Sequence, residues 1–390
     1  MRIAIITGEY PPQEGGVGDF TFRLGQALST SAHEIHVLTN RDASHREEQK
    51  GAVTVHRKIA DWGWSAHAKI TRWIEEMQPD IVNLQYQAAA YQMRGAINLY
   101  PRRQGRRIAS PLVTTFHDLR PPYLFPKAGR LRTWAVYQMA KHSDGVIVTN
   151  GEDYTALHQR LGDIKVPRIR LIHIGSNIAP NPPRGYERGA WRQAQGIKDN
   201  ALLLGFFGFL NASKGVETLL KAMPRLLQRA VPAHLIFIGG RTGSSDVTNR
   251  AYAASIDALI ADLGLNAHVH RTGFTKPTVV SAALLASDIC VLPYRDGVSL
   301  RRGTLHACLA HGRPVVTTEP TTEVEQLQDG EHVLMVPPGD DEVLADAILR
   351  LWQTPTLRAE LGANAAALAN EFSWERIAAH TAEFFRQLST

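Results

Sequence analysis

The residues best suited to chemistry lie between Asp288 and Thr318, which read DICVLPYRDGVSLRRGTLHACLAHGRPVVTT. The polar loop Tyr294 to Gly303 carries one carboxylate, Asp296, and three guanidinium groups, Arg295, Arg301 and Arg302. It runs into a helix opening at Thr304, so the amides of Gly303, Thr304 and Leu305 stand free of helical partners. Such amides beside forked guanidinium groups suit a phosphate. A carboxylate in the same loop suits sugar hydroxyls, because it repels phosphate and accepts hydrogen bonds. A second cation, Lys214, stands where the turn Phe209-Leu210-Asn211-Ala212-Ser213 enters a helix near Gly215. A lysine at a helix N-terminus adds a point charge to the positive end of the dipole. A solvated surface lysine is the alternative. His117 follows an apolar run ending at Phe116 and is flanked by Asp118, where it can act as a general base or donate to a substrate oxygen.

These residues need a scaffold that delivers them to one edge. Ile289 to Leu292 is a short apolar run of the buried, parallel type. The helix after it carries Leu305, Cys308 and Leu309 on one stripe and stops at Gly312, before a strand from Pro314 to Thr318. Strand, loop, helix and strand make a βαβ unit whose loop lies at the carboxyl edge, where open α/β sheets bind ligands. Similar strands are expected over Arg2 to Thr7, Glu34 to Thr39, Asp80 to Leu84, Leu112 to Phe116, Gly145 to Thr149 and Arg170 to Ile174. The proline-rich stretch 179–185 reads as a linker. The pattern then restarts over Ala201 to Gly208, His234 to Ile238, Val269 to Thr272 (followed by Gly273-Phe274) and Val333 to Val336. The fold expected is α/β, with two Rossmann-like doubly wound parallel-sheet domains facing a cleft. Their spans are 1–180 and 181–370, and a last helix over 371–390 packs back on the first domain.

Gly8 to Gly18 forms a glycine-rich loop after the first strand, with a helix from Asp19 as N-cap. Its glycines do not fit G-x-G-x-x-G, so dinucleotide binding is weak and a mere tight turn is the alternative. With 43 Lys and Arg against 37 Asp and Glu, the chain is net +6 and favours anionic partners. No nucleic-acid motif accompanies the charge. Arg102, Arg103, Arg106 and Arg107, then Lys127, Arg130, Arg132 and Lys141, make the first half locally basic. The second group brackets Leu131, Trp134, Val136 and Tyr137, which leaves room for a peripheral membrane contact beside the preferred reading of a solvated helix face. The initial apolar run is too short for a signal peptide, and no stretch approaches a membrane span, so a cytoplasmic protein is expected, with the inner face of the membrane within reach. Cys290 and Cys308 read as reduced core thiols. No histidine or cysteine spacing supports zinc, and no Asp-x-Asp triplet is present to hold a divalent metal on a diphosphate. No metal and no cofactor is expected.

Several motifs in order resemble the retaining glycosyltransferases of family four, with the GT-B fold, over essentially the whole chain. They are the glycine-rich opening loop, Phe207 to Gly215, Ala310-His311-Gly312-Arg313-Pro314-Val315-Val316, Asp329-Gly330, Val336 to Asp340, and Phe372-Ser373-Trp374. The resemblance implies a nucleotide-sugar donor and a carbohydrate or glycolipid acceptor. It places Lys214 on the donor diphosphate, together with Gly208, Phe274, Arg301, Arg302, Gly303, Thr304 and Leu305. It sets His117 against the transferred sugar, and Gly15, Gly16, Val17 and Gly18 near donor phosphate and acceptor. His117 and Asp296 are the expected catalytic residues. It further implies same-face attack, with the leaving phosphate taking the acceptor proton. Two departures stand out. The family usually has an arginine at Phe209, whose charge Arg301 or Arg302 would replace. Its paired-glutamate signature becomes Asp296 and, two residues further apart, Ala307 near the place of the ribose-binding glutamate. The implied activity is metal-independent, retaining hexosyl transfer from a nucleotide-diphosphate sugar to a hydroxyl, for a glycan, polysaccharide or glycolipid. A nucleotide-sugar epimerase and a non-catalytic nucleotide-sugar-binding relative are the alternatives.

Overall fold

A computed structural model describes residues 1–13, 15–42, 47–104, 107–119, 129–161, 168–240 and 247–389. The chain forms two compact units, Met1–Gly175 with Ser373–Thr390, and Ser176–Phe372. The contact boundary thus falls between Gly175 and Ser176, ahead of the proline-rich stretch.

The first unit runs β1 (Arg2–Thr7), α1 (Gly16–Thr30), β2 (Glu34–Asn40), β3 (Glu47–Lys50), β4 (Val53–Ile59), α2 (Ser65–Met77), β5 (Ile81–Tyr86), α3 (Tyr100–Gln104), β6 (Leu112–Phe116), α4 (Gly129–Lys141), β7 (Gly145–Val148), α5 (Gly151–Leu161) and β8 (Arg168–Leu171). Its sheet has the order β3-β4-β2-β1-β5-β6-β7-β8. All neighbours pair parallel except the antiparallel edge β3–β4. Ile3, Ala4, Ile5 and Ile6 are wholly buried because helices cover both faces of the sheet. Strand order reverses at β1, which pairs with both β2 and β5, so the loop after β1 sits at a topological switch point.

Three expectations are corrected here. Strands β3 and β4 were not anticipated, although Val53 and Val55 alternate with polar residues as a strand should; the charges at His56, Arg57 and Lys58 mask the signal. β8 ends at Leu171, three residues short of Ile174. Helix α1 begins at Gly16 with Gly15 as N-cap, so Asp19 lies in the first turn and does not cap.

The second unit runs α6 (Arg188–Ala194), β9 (Leu202–Phe207), α7 (Val216–Gln228), β10 (Ala233–Ile238), α8 (Val247–Asp262), β11 (Val269–Gly273), α9 (Pro277–Ala286), β12 (Ile289–Leu292), α10 (Gly303–Ala310), β13 (Val315–Thr318), β14 (Leu334–Val336), α11 (Asp341–Gln353) and α12 (Pro355–Glu371). Its six strands have the order β11-β10-β9-β12-β13-β14, all parallel. The reversal falls at β9, flanked by β10 and β12, so the loops leaving β9 and β12 are neighbours. The last helix, α13 (Trp374–Leu388), belongs to the first unit. It buries Ile377, Phe384 and Phe385 against Ile3 and Ile5, and sets Trp374 edge-on to Phe20, ring centroids 5.2 Å apart. Both units are therefore Rossmann-like α/β domains. Cys290 and Cys308 are buried free thiols of the second core.

Candidate active site

The β9 and β12 loops of the second unit lock together. Gly215 adopts φ +62°, and a Cβ there would collide with the Pro293 carbonyl, so glycine is required twice over. The Arg295 amide donates to the Ser213 carbonyl at 3.0 Å. A Cβ on Gly208 would stand 3.1 Å from the Thr304 methyl group, so the turn after β9 lies against the start of α10. Lys214 is thereby fixed over the ring of Tyr294, its Nζ 5.0 Å from the centroid. Arg302 stacks on the same ring at 4.1 Å. Tyr294 itself is fully buried and shares a 2.7 Å hydrogen bond with the Thr304 hydroxyl.

One aromatic ring therefore carries two cations at the carboxyl edge of the sheet. Burial, and secondly the charge of Arg302, pull the Lys214 ammonium down to a pKa of about 8, opposed by Asp296. The ring quadrupole offsets part of that cost. An anion binding here would relieve the rest.

Asp296 and Arg302 form an ion pair, and Arg301 approaches the same carboxylate at 4.0 Å. The arginine and carboxylate expected to serve different parts of a substrate thus hold each other in the structure as it stands. Arg302 Nε is buried without a hydrogen-bond partner among the described residues. Arg295 turns away to Glu217, whose carboxylate also accepts from the Tyr252 hydroxyl. The expectation for the amides needs a correction: Leu305 donates to the Arg302 carbonyl at 3.0 Å, closing a tight first turn. Gly303 and Thr304 keep amides at the N-terminus of α10. Ala307, near the place of the family's second glutamate, is buried in the apolar core.

Phe274 and Phe209 are exposed, 70% and 42%, and both approach Gly240, where a Cβ would lie 3.1 Å from the Phe209 ring. They form an apolar rim at the ends of β9, β10 and β11, on the same edge as Lys214.

In the first unit, His117 lies just past β6. Its Nε2 is 2.8 Å from Gln85 Oε1, and Phe20 meets the ring edge-on at 4.7 Å. Burial holds its pKa down to about 3, so the imidazole is neutral at physiological pH even though part of the residue stays accessible. The loop at Gly15 to Gly18 is not open. Glu9 Oε1 accepts from the amides of Val17 at 2.9 Å and Gly18 at 3.2 Å, and its carboxyl fills the space beside Gly15. An internal carboxylate thus takes the helix N-terminus expected to face phosphate. Burial raises the Glu9 pKa, although those two amides pull it the other way.

Sequence reasoning missed Tyr294, Glu9 and Gln85. Tyr294 was legible as an aromatic next to Pro293 at a strand end. Glu9 and Gln85 carried no signal, since their partners come from sheet order. Of the basic stretch in the first half, Arg106 and Lys127 lie outside the described residues, as do the side chains of Arg130, Leu131 and Arg132. Val136, Met139 and Ala140 of α4 are in the core, and Arg102 stacks on half-exposed Trp134 at 5.4 Å. Among the described residues, no helix is long and apolar enough to cross a membrane, and no group of three or more His, Cys, Asp or Glu is placed to hold a metal ion.

Two family models divide the chain between them. Residues 14–179 match the model described as Glycosyltransferase Family 4, and residues 201–354 that described as Glycosyl transferases group 1. The chain is a family 4 glycosyltransferase. Among curated relatives, this glycosyltransferase is 24% identical to the alpha-D-kanosaminyltransferase of Streptomyces kanamyceticus, over 75% of each chain. It is 23% identical to the phosphatidyl-myo-inositol mannosyltransferase of Mycobacterium leprae, over 100% of this chain and 98% of that one. Among solved structures, sucrose-phosphate synthase from Thermosynechococcus elongatus superposes with a TM-score of 0.79 at 20% identity, covering 99% of this chain and 98% of that one. Anabaena HepE in complex with UDP gives 0.77 at 19%, covering 99% and 100%. These likenesses establish the GT-B fold.

Proposed function

We propose that this glycosyltransferase moves a hexose, with retention of anomeric configuration and without a metal, from a nucleoside-diphosphate sugar to a hydroxyl of a glycan, polysaccharide or glycolipid acceptor. The observation that carries this reading is the pair of cations on Tyr294. Lys214 and Arg302 meet beside the N-terminus of α10 at the strand-order reversal of their sheet. A leaving diphosphate needs preorganised positive charge that costs nothing to reorganise at the moment of departure. Two cations clamped on one ring supply it. In the second unit the Asp296 carboxylate accepts hydrogen bonds and suits sugar hydroxyls; in the first, the neutral His117 imidazole does not compete for phosphate. HepE, a protein of the same fold, has been solved with UDP and with UDP-glucose, which supports a nucleotide-sugar donor. Same-face attack, with the leaving phosphate taking the acceptor proton, follows from the family resemblance.

The test is incubation with a panel of nucleotide sugars, with and without acceptors, read by proton NMR at the anomeric position. Transfer or slow hydrolysis that releases the donor's own anomer supports the reading. Release of the opposite anomer overturns retention, an epimerised donor points to the epimerase, and binding without turnover points to the non-catalytic relative. The burial of Ala307, where a ribose-binding carboxylate would be expected, is the observation that favours this last alternative.

A further inference from the structure

Parallel strands covered on both faces are normally apolar along their length. In β5, however, Asn83 and Gln85 are wholly buried, and so is Thr115 of the neighbouring β6. Register places Asn83 opposite Val113 and Gln85 opposite Thr115. Asn83 Nδ2 donates to the Val113 carbonyl at 3.3 Å and to the Thr115 hydroxyl at 2.9 Å. Gln85 Nε2 donates to Asn83 Oδ1, and Gln85 Oε1 faces His117 Nε2 at 2.8 Å.

The direction of this chain is set at its far end. A backbone carbonyl only accepts, so the Asn83 amide must turn its NH2 toward Val113 and its oxygen toward Gln85. Gln85 must then offer its NH2 to Asn83, which leaves its oxygen for His117. An amide oxygen also only accepts, so His117 Nε2 must carry the proton. The neutral ring has one proton to place, and Nδ1 is left with a lone pair. Nδ1 makes no hydrogen bond among the described residues.

We propose that Gln85, oriented by Asn83, is a positioning residue that holds His117 as its Nε2–H tautomer and so presents Nδ1 as an acceptor to a hydroxyl of the transferred sugar. The inference rests on the reading that His117 meets that sugar. It settles which way the imidazole works there: it receives a hydroxyl hydrogen bond and does not donate to an oxyanion. A buried amide chain suits the task, since every member is satisfied and none can ionise at neutral pH.

The experiment is a long-range proton–nitrogen correlation spectrum of protein labelled with 15N-histidine, with His117 assigned by its loss in His117→Gln. The wild type is expected to show the Nε2–H tautomer alone. Gln85→Glu, once ionised, keeps an acceptor against Nε2 and should keep that nitrogen protonated. Gln85→Leu removes the acceptor and should yield Nδ1–H or a mixture. In donor kinetics Gln85→Leu should lower kcat by about 10–100-fold, taking as a guide the range for partners that orient metal-bound histidines, with KM changed by less than about twofold. Gln85→Glu should recover most of the loss. A wild-type spectrum showing Nδ1–H, or a Gln85→Leu spectrum that stays purely Nε2–H, overturns the proposal. Should Gln85→Leu not fold, the wild-type and Gln85→Glu spectra decide alone. Activity that survives His117→Ala would defeat the placement of His117 at the sugar and leave the tautomer result standing, so the two failures are told apart.

Discussion

Replacing Lys214 with methionine should make the protein more stable and less active at once. The ammonium is held at a pKa of about 8, against an ordinary value of 10.5, by burial and by the charge of Arg302. A lysine whose folded pKa is depressed destabilises the folded state wherever it is protonated in both states. Between pH 8 and 10.5 the unfolded chain binds the extra proton, so stability rises with pH across that window. The drop corresponds to about 3 kcal/mol at most, and the remaining exposure of the side chain reduces it to about 1–3 kcal/mol. Methionine is close to lysine in length, keeps contact with the Tyr294 ring through sulfur, and removes the charge. At pH 7, Lys214→Met should therefore raise the unfolding free energy of its domain by about 1–3 kcal/mol, and the gain should vanish near pH 10.5. Nucleoside-diphosphate affinity should fall, and the transition state should lose about 2–4 kcal/mol, or about 30- to 1000-fold in kcat/KM. Urea denaturation at pH 7 and pH 10.5, with calorimetric titration of UDP, GDP and ADP, reads both effects. A variant that is destabilised at pH 7, or that binds and turns over like the wild type, refutes the assignment of Lys214 as a buried cation kept for the diphosphate.

The remaining predictions concern the same groups. Because Asp296 engages Arg302, Asp296→Asn should abolish transfer while leaving nucleotide affinity equal or higher; a fall in affinity would show that the carboxylate serves the nucleotide. Arg302→Ala should weaken nucleotide binding, and the loss should shrink at high salt, where screening already reduces the attraction. With no Asp-x-Asp triplet in the chain, transfer should survive exhaustive chelation. Activity lost in EDTA and restored by Mg²⁺ or Mn²⁺ would mean that the cations on Tyr294 do not suffice. Glu9 is a carboxylate with a raised pKa, so its ionisation costs stability as pH rises above 4.5. Glu9→Gln, which keeps an acceptor for Val17 and Gly18, should leave thermal stability at pH 7 unchanged or higher. Glu9→Leu strands both amides and should cost about 1–3 kcal/mol. Equal melting temperatures for the two variants would remove Glu9 from that role.

Local chemistry was enough to determine most of the strands and the inventory of charge. Runs such as Ile289-Cys290-Val291-Leu292 have no polar face and must be buried on both sides. The polar turn Phe209 to Ser213 after an apolar run, and Pro293 at the end of another, mark Lys214 and the Asp296 loop as following strands. The short, charged β3 and β4 escaped because their polar residues blur a period-two pattern. Tertiary structure alone decided what those charges do. Pairing of β9 with β12 joins two loops that are far apart in the chain, and only that joining sets Lys214 and Arg302 on one ring. The partners of a long side chain depend on which strand lies beside it, and strand order leaves no periodic trace in sequence. For the same reason Glu9 could fill a glycine-rich loop that reads as open, and Arg302 could close on Asp296. The protonated nitrogen of His117 is the furthest such case, since it is set by the Val113 carbonyl through two buried amides.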